Sequence, residues 1–169
     1  MEVNLAGIHK RIKFFYYYLI KFIMIKISKP SKKHYLQLIS IWEAAVRTTH
    51  NFLEEDDILY YRKRILEEYF DLVDLYIATD ELERILGFLG LSSNRIEMLF
   101  IDPLFRNKGV GKLLVNYAIN QHLATNVDVN EQNPLAVGFY HKLGFQVINR
   151  KPFDSEGKPF PILEMQLNG

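Results

Sequence analysis

A glycine-rich turn at residues 106–112 is the segment of this sequence most suited to chemistry. The turn reads Arg-Asn-Lys-Gly-Val-Gly-Lys; it follows an apolar, strand-like run from Ile96 to Ile101 and precedes an apolar-periodic helix predicted from Leu113 to Leu123. Such a turn directs several backbone N–H groups at one point, and the helix dipole adds about half a positive charge there. The segment therefore predicts an anion site suited to pyrophosphate.

Two familiar phosphate-binding loops do not fit this turn. A P-loop places glycine five residues before its Gly-Lys pair and Ser or Thr after the pair, but this sequence has Arg106 and Leu113 at those positions. The dinucleotide fingerprint needs a third glycine, and its position holds Leu114. The pattern that remains is Arg-x-x-Gly-x-Gly.

A second motif follows at residues 130–145, which read Asn-Glu-Gln-Asn-Pro-Leu-Ala-Val-Gly-Phe-Tyr-His-Lys-Leu-Gly-Phe. The two motifs in this order resemble the GCN5-related N-acetyltransferase (GNAT) family, and the resemblance spans most of residues 24–169. The family pattern Asn-x-x-Ala-x-x-Phe-Tyr-x-x-x-Gly-Phe is matched in register by Asn133, Ala136, Phe139, Tyr140, Gly144 and Phe145. Thr49-His50, Phe100-Ile101-Asp102-Pro103 and residues 129–133 are similar to a subgroup of small bacterial enzymes regarded as protein-lysine acetyltransferases.

The resemblance implies an enzyme that moves an acetyl group from acetyl-CoA to a primary amine, with a peptidyl lysine as the expected acceptor. A small-molecule amine acceptor and a non-catalytic acyl-CoA-binding module remain as alternatives. The sequence contains no cysteine, so no thiol can hold the acetyl group, which favours direct transfer in a ternary complex. The same absence excludes disulfides and thiolate metal sites, and no metal is predicted.

Acetyl transfer to a lysine poses two proton problems. The amine, with a pKa near 10.4, is protonated at pH 7, and freeing it costs about 4.6 kcal/mol, so a base must accept that proton; the departing thiolate then needs a proton or a hydrogen bond. The family resemblance implies Tyr140 as the acid. Two candidates compete as the base: Glu97 on the fourth strand, and His50, whose ordinary pKa near 6.5 suits the task. The structural alternatives are a core tyrosine, a solvent-facing glutamate and a helix-end histidine facing the dipole.

The cofactor-binding residues that the resemblance implies fall into three groups. Backbone N–H groups of the turn would cradle the pyrophosphate, with basic side chains to neutralise it. Two residues of the fourth strand would pair with the pantetheine arm through main-chain hydrogen bonds, and two asparagines would contact the cofactor or cap the fourth helix. The set comprises Phe100, Ile101, Arg106, Asn107, Lys108, Gly109, Val110, Gly111, Lys112, Asn130 and Asn133.

Hydrophobic periodicity predicts the elements that must hold these residues. Strands are expected at residues 25–28, 73–79, 84–91, 96–101, 125–129, 145–150 and 162–167, and helices at 30–48, 56–70, 113–123 and 134–143. The order β-α-α-β-β-β-α-β-α-β-β is that of the GNAT fold. It is an α/β (α+β) domain with a mixed, mostly antiparallel sheet of six to seven strands, flanked by about four helices.

An acidic run, Glu54-Glu55-Asp56-Asp57, lies close to His50 in the sequence. Such a run could attract a cationic amine. It is also the composition that a helix N-terminus favours, because negative charge there complements the dipole. Both interpretations stay open at this point.

Composition and charge limit the partners. The chain has 169 residues, of which 49% are hydrophobic and 24% charged, as expected for one globular domain. Residues 1–23 hold four basic residues and one acidic residue, a net charge of +3, whereas the remaining 17 basic and 19 acidic residues give −2. This mildly acidic body argues against nucleic acid as a partner, and we expect a cytoplasmic monomer or homodimer.

The first 23 residues are basic and aromatic, and are interrupted by charges. They are too short and too interrupted to span a membrane, so no stable membrane insertion is expected. We interpret residues 1–23 as a non-essential extension and residues 24–169 as the GNAT domain. A helix that binds a membrane surface or a partner, and a signal peptide, are the alternatives.

Overall fold

The computed structural model describes residues 25–168, so the extension predicted at residues 1–23 lies outside the described residues. Within them, seven strands are β1 (Lys26–Ser28), β2 (Asp74–Thr79), β3 (Ile85–Ser92), β4 (Arg95–Ile101), β5 (Asn126–Asn130), β6 (Phe145–Lys151) and β7 (Ile162–Leu167). The four main helices are α1 (Tyr35–Thr49), α2 (Glu55–Arg64), α3 (Val110–His122) and α4 (Pro134–Lys142). A 3₁₀ turn (Lys32–His34) precedes α1, a second one (Pro103–Phe105) follows β4, and a π-helical turn (Ile65–Tyr69) with one further turn (Phe70–Leu72) extends α2.

The strands form one sheet in the order β1-β2-β3-β4-β5-β7-β6. All neighbouring strands are antiparallel except β4 and β5, which run parallel. That parallel pair is short, because only Arg95 with Asn126 and Ile96 with Val127 are in register. The predicted fold class, a mixed and mostly antiparallel sheet flanked by four helices, is confirmed.

Helices cover both faces of the sheet, and a separate apolar core fills each interface. Beneath α1 and the extension of α2, the core includes the fully buried residues Leu38, Ile39, Phe70 and Phe88. Beneath α3 and α4, the other core includes Leu114, Val115, Phe145 and Met165. Strand β3 lies between the two cores and is buried along nearly its whole length, because a strand covered on both faces needs a continuous apolar sequence.

Gly87 allows β3 to approach β4 closely at the end of β4 that leads into the glycine-rich turn at residues 106–112, called the anion turn below. A Cβ atom on Gly87 would lie 2.7 Å from the carbonyl oxygen of Phe100 and 2.7 Å from Cδ1 of Ile101. The Ile101 methyl group could rotate away, but the backbone oxygen of Phe100 could move only if the strands separated. Glycine at this position therefore lets the last residues of β4 keep their place in the sheet.

The predicted start of α3 is wrong for an identifiable reason. Helix α3 begins at Val110 rather than Leu113, because Gly109 adopts a left-handed conformation (φ +85°) that ends the turn earlier. Gly111 and Lys112 therefore belong to the first helical turn. The helix predicted at residues 56–70 is interrupted by the π-helical turn.

Among residues 25–168, no helix is both long enough and apolar enough to cross a membrane.

Candidate active site

A cleft of about 620 Å³ opens where β4 and β5 diverge. Beyond Ile96 and Val127 the two strands share no further register pair, so their facing edges border a gap. The turn at 105–112, one face of α4 and the C-terminal end of α1 complete its walls. The cleft therefore brings the two motifs that were singled out in the sequence into one site.

The turn at 106–112 presents a series of unused backbone donors. The Arg106 N–H donates back to the preceding turn at 3.4 Å, and the Leu113 N–H donates to the Gly109 carbonyl at 3.0 Å. The six N–H groups between them, at residues 107–112, donate to no acceptor in the part of the chain that the structure describes. Positive φ angles at Asn107 (58°) and Gly109 (85°) curl the backbone around these donors. The first turn of a helix leaves its N–H groups free, so the geometry fits an anion.

Glu97 is the extra residue of a β-bulge in β4. Leu91 of β3 pairs with Ile96 and Gly90 pairs with Met98, so Glu97 has no partner residue on β3. The bulge exchanges the faces of the following side chains: Ile96 packs in the core beneath α3, whereas Met98 packs in the core beneath α1. A bulge changes the direction of a side chain, and Glu97 lines the cleft.

The surroundings of Glu97 make its carboxylate a stronger base than usual. Partial burial against the cleft walls raises the pKa of Glu97 above 4.5, and the negative charge of Asp128 raises it further, although the positive charge of Arg95 opposes both. The residue is nevertheless exposed to solvent through the open cleft. A general base works best when its pKa lies near the operating pH, and the upward shift moves the pKa of Glu97 toward neutral pH.

Tyr140 lies on α4 and is buried, with 5% of its surface exposed. Its ring packs edge-on against Phe139 and Phe145, at centroid distances of 5.1 and 5.4 Å. Burial raises the pKa of Tyr140, so the phenol keeps its proton at neutral pH. Among residues 25–168 no group is hydrogen-bonded to the hydroxyl, and the residue lines the cleft. Tyr140 is therefore a fixed ring whose donor is free for a ligand.

His50 ends α1 and also lines the cleft. Burial lowers the pKa of His50 to about 4, so its ring is neutral at pH 7. The Thr49 hydroxyl donates to the Ala45 carbonyl at 2.9 Å and lies 2.8 Å from Nδ1 of His50. With the hydroxyl proton directed at that carbonyl, the arrangement favours the tautomer in which Nδ1 carries the ring proton and donates to Thr49. Nε2 then keeps its lone pair.

Nine of the eleven predicted cofactor residues line the cleft; they are Phe100, Ile101, Arg106, Asn107, Gly109, Gly111, Lys112, Asn130 and Asn133. Lys108 does not line the cleft; its ammonium instead donates a hydrogen bond to the Leu104 carbonyl at 2.7 Å. Val110 is buried in the core beneath α3. The side chain of Asn133 caps α4 by accepting from the Ala136 N–H at 3.1 Å. The roles of all eleven toward a cofactor stay predictions.

The acidic run at residues 54–57 is used to start α2. The side chains of Glu54 and Asp57 form a reciprocal capping box. Glu55 pairs with Arg47 at 2.7 Å, and Asp57 pairs with Lys158 at 2.5 Å. These contacts fit the helix-terminus interpretation, because three of the four carboxylates are engaged in capping or ion pairing.

The loop between β6 and β7 lies against α2 and its extension, an arrangement absent from the sequence predictions. Tyr61 and Tyr69 donate hydrogen bonds to Asp154 and Glu156 of this loop. Phe160 of the loop packs on Phe52 at 5.7 Å, and Phe52 packs on His50 at 5.3 Å. The two tyrosines lie about ninety residues from their carboxylate partners in the chain, so no local pattern indicates these hydrogen bonds.

Asp128 lines the cleft but was not among the site residues predicted from the sequence. It lines the cleft from β5 and forms an ion pair with Arg95 of β4. The alternating pattern Val127-Asp128-Val129 marks Asp128 as the polar residue of a half-buried strand. Only the pairing of β4 with β5 shows that it lies beside Glu97.

The sheet order, the diverging strands and the anion turn at a helix N-terminus are those expected of an acetyltransferase fold. The family model described as "Acetyltransferase (GNAT) domain" matches residues 40–167. The chain therefore belongs to the GNAT family and is an acetyl-CoA-dependent N-acetyltransferase, as the sequence motifs predicted.

Individual relatives extend this assignment. A protein of Salmonella typhimurium named peptidyl-lysine N-acetyltransferase YjaB is 36% identical over 145 residues, which cover 84% of this chain and 97% of that protein. The solution structure of apo YjaB from Escherichia coli superposes with a TM-score of 0.78 at 36% identity, covering 86% of this chain and 98% of that one. PaiA N-acetyltransferase from Thermoplasma acidophilum, solved with coenzyme A, shares the fold (TM-score 0.65, 21% identity, covering 84% and 98%).

Proposed function

We propose that this acetyltransferase modifies the side-chain amine of protein lysines, and that the amine attacks acetyl-CoA directly in the cleft between β4 and β5. One observation carries the proposal: a protonated phenol, Tyr140, and a carboxylate with raised pKa, Glu97, line the same cleft as the free N–H groups of the anion turn. The names of relatives with 36% identity support a lysine in a protein as the acceptor. The same proposal places the reaction in the cytoplasm.

Acetyl-CoA would be held by main-chain groups along one side of the cleft. Its pyrophosphate would accept hydrogen bonds from the N–H groups of residues 107–112, with Arg106 and Lys112 close enough in the chain to add positive charge. Its pantetheine arm would run beside Phe100 and Ile101, where β4 has no partner strand on the side of β5. An extended ligand can add to such an edge through backbone hydrogen bonds.

Transfer then requires two protons to leave the nitrogen, one before and one after its attack, and a hydrogen bond to reach the sulfur. Glu97 accepts the amine proton, directly or through a water molecule, and the neutral nitrogen attacks the thioester carbonyl. The C–N bond forms, the C–S bond breaks, and its electron pair leaves on the CoA sulfur. The second proton then passes from the nitrogen through water to the thiolate, which gives the amide and the CoA thiol. A phenol near pKa 10 is a weaker acid than a thiol near 8.5, and burial weakens Tyr140 further. Tyr140 therefore acts chiefly by donating a hydrogen bond to the developing thiolate.

Between the two base candidates we favour Glu97. The environment moves the pKa of Glu97 upward, toward the range useful at neutral pH, and moves the pKa of His50 down to about 4. His50 keeps an unprotonated Nε2 at the wall of the cleft formed by the end of α1, where it could accept a hydrogen bond from the incoming ammonium. We assign His50 to substrate positioning rather than to proton removal.

The acceptor is tested by incubating the protein and acetyl-CoA with two panels, one of lysine-containing peptides and one of small amines including spermidine. CoA thiol release gives kcat/KM, and mass spectrometry locates the acetyl group. We expect acetylation at the lysine Nζ atom, with higher kcat/KM for peptides than for small amines. Peptides with arginine in place of lysine are the matched control. Turnover of small amines alone would replace the lysine acceptor with a metabolite.

A further inference from the structure

The point at which β4 and β5 separate carries three charged side chains. The last register pair joins Ile96 with Val127. The next residue of each strand, Glu97 and Asp128, lines the cleft, and an Arg95 guanidinium nitrogen donates across the two strands to the Asp128 carboxylate. The ion pair therefore spans the strands beside the carboxylate that we assign as the base.

We propose that Asp128 and Arg95 are a positioning pair for Glu97: Asp128 holds the Arg95 guanidinium away from Glu97 and so leaves the Glu97 carboxylate free to accept a proton in the cleft. The inference rests on the proposed function, in which Glu97 takes the amine proton. It adds a role for two residues that the acetyl-transfer motifs do not contain.

The arrangement of β4 explains why such a partner is needed. Arg95 and Glu97 are two residues apart on one strand, and the charge of Arg95 reaches Glu97. Without a competing anion, the guanidinium would form a bidentate pair with the Glu97 carboxylate, since arginine forks match carboxylates well. A carboxylate held in that way is a poorer proton acceptor. Asp128, with about a third of its side chain exposed, supplies the competing anion.

Other titratable groups near Glu97 lie on the neighbouring elements. Glu164 of β7 is the cross-strand neighbour of Asp128. Its charge is paired with Lys151 of β6 at 2.5 Å, and it also accepts a hydrogen bond from Asn149 at 2.7 Å. From α1, His50 is neutral above about pH 5 because burial lowers its pKa to about 4. The residues of β3 beside the bulge, Gly90 and Leu91, carry no charge. Arg106, Lys112 and Lys142 also line the cleft, but Arg95 and Asp128 are the two charged groups that shift the pKa of Glu97, beside the larger effect of burial.

The proposal predicts opposite effects from two conservative substitutions. In Asp128→Asn, Arg95 turns to Glu97, and the acidic-limb midpoint of kcat/KM against pH moves to lower pH, with slower turnover at neutral pH. In Arg95→Gln, the positive charge is lost while Asp128 remains, so the midpoint moves to higher pH. Asp128→Glu keeps the charge and should restore the wild-type midpoint. Acetyl-CoA affinity, measured by calorimetry, should be unchanged in all three.

A second readout is independent of turnover. Carbon-13 NMR of protein labelled at glutamate Cδ follows the ionisation of Glu97 directly, with Glu97→Gln to assign its signal. The NMR titration of Glu97 should show the same opposite shifts in the two variants. If the protein acetylated no lysine peptide, the proposed function would be overturned, but these NMR shifts would still be expected. Midpoints that do not move, or that move in the same direction in Asp128→Asn and Arg95→Gln, would overturn the positioning pair. Because Asp128 is partly exposed, its asparagine variant is expected to fold.

Discussion

Burial at the C-terminal end of α1 changes how the His50 ring titrates. Its pKa falls from 6.5 to about 4 because burial disfavours the charged ring. Below pH 6.5 the unfolded chain binds a proton at His50, whereas the folded chain binds it only near pH 4. The free energy of unfolding therefore falls as the pH drops through this window. At pH 5, about 1.5 units below the unfolded-state pKa, the free energy of unfolding is lower by about 2 kcal/mol, since each unit contributes about 1.36 kcal/mol.

This dependence gives the first prediction. Urea denaturation of the wild type at pH 7 and pH 5 should show about 2 kcal/mol more loss of stability than the same pair of measurements on His50→Asn. Asparagine keeps a donor near Thr49 but does not titrate. An equal loss in both proteins would mean that His50 is solvated, and its assignment as a neutral positioning group would fail.

At the scale of elements, the anion turn lends itself to a matched pair of substitutions. A Cβ atom on Gly111 would lie 3.4 Å from the Phe139 ring, so a side chain fits there at the mouth of the cleft. Gly111→Asp places a negative charge where the pyrophosphate is proposed to bind, and Gly111→Asn adds the same volume without charge. Calorimetry should show acetyl-CoA affinity falling at least tenfold further in the aspartate variant, about 1.4 kcal/mol. Equal affinities would exclude this turn as the phosphate site.

The loop between β6 and β7 supplies another prediction at this scale. Tyr61→Phe removes a partly buried hydrogen bond to the Asp154 carboxylate, and bonds to charged groups contribute about 1.5–3 kcal/mol. We expect a lower Tm and a higher KM for the peptide, because the loop also carries Phe160 toward Phe52 and His50. Tyr60→Phe removes an exposed bond to Glu156 (2.7 Å) and serves as the control with a smaller effect. A lower Tm with an unchanged KM would restrict the loop to a structural role.

The sequence predicted the features that depend on neighbouring residues and missed those that depend on contacts between distant segments. The turn at 106–112 and the cap at Asn133 depend on neighbouring residues, and both lie where the motifs placed them. The bulge at Glu97 depends on how β4 pairs with β3, and the contact of Tyr61 with Asp154 joins segments 93 residues apart. Neither leaves a local pattern. The start of α3 was misplaced because the conformation of Gly109 is set by the turn and not by apolar periodicity.

At the scale of the whole molecule, residues 25–168 contain the seven-stranded sheet, both apolar cores and the cleft. We therefore predict that deleting residues 1–23 changes Tm by less than about 2 °C, which corresponds to under about 1 kcal/mol for a domain of this size. Acetyl-CoA affinity should also be kept. A fall of many degrees or an insoluble product would show that these residues belong to the folded domain.

Tyr140→Phe tests the central claim, that the cleft performs acetyl transfer with Tyr140 at the leaving sulfur. The substitution removes one hydroxyl and keeps the ring that packs on Phe139 and Phe145, so acetyl-CoA affinity should stay within a few-fold of wild type. General acid groups contribute about 10²–10⁴-fold. Because Tyr140 acts chiefly as a hydrogen-bond donor, steady-state assays with a lysine peptide should show kcat reduced by roughly 10²-fold, near the lower end of that range. Unchanged kcat at saturating peptide and acetyl-CoA would contradict the account.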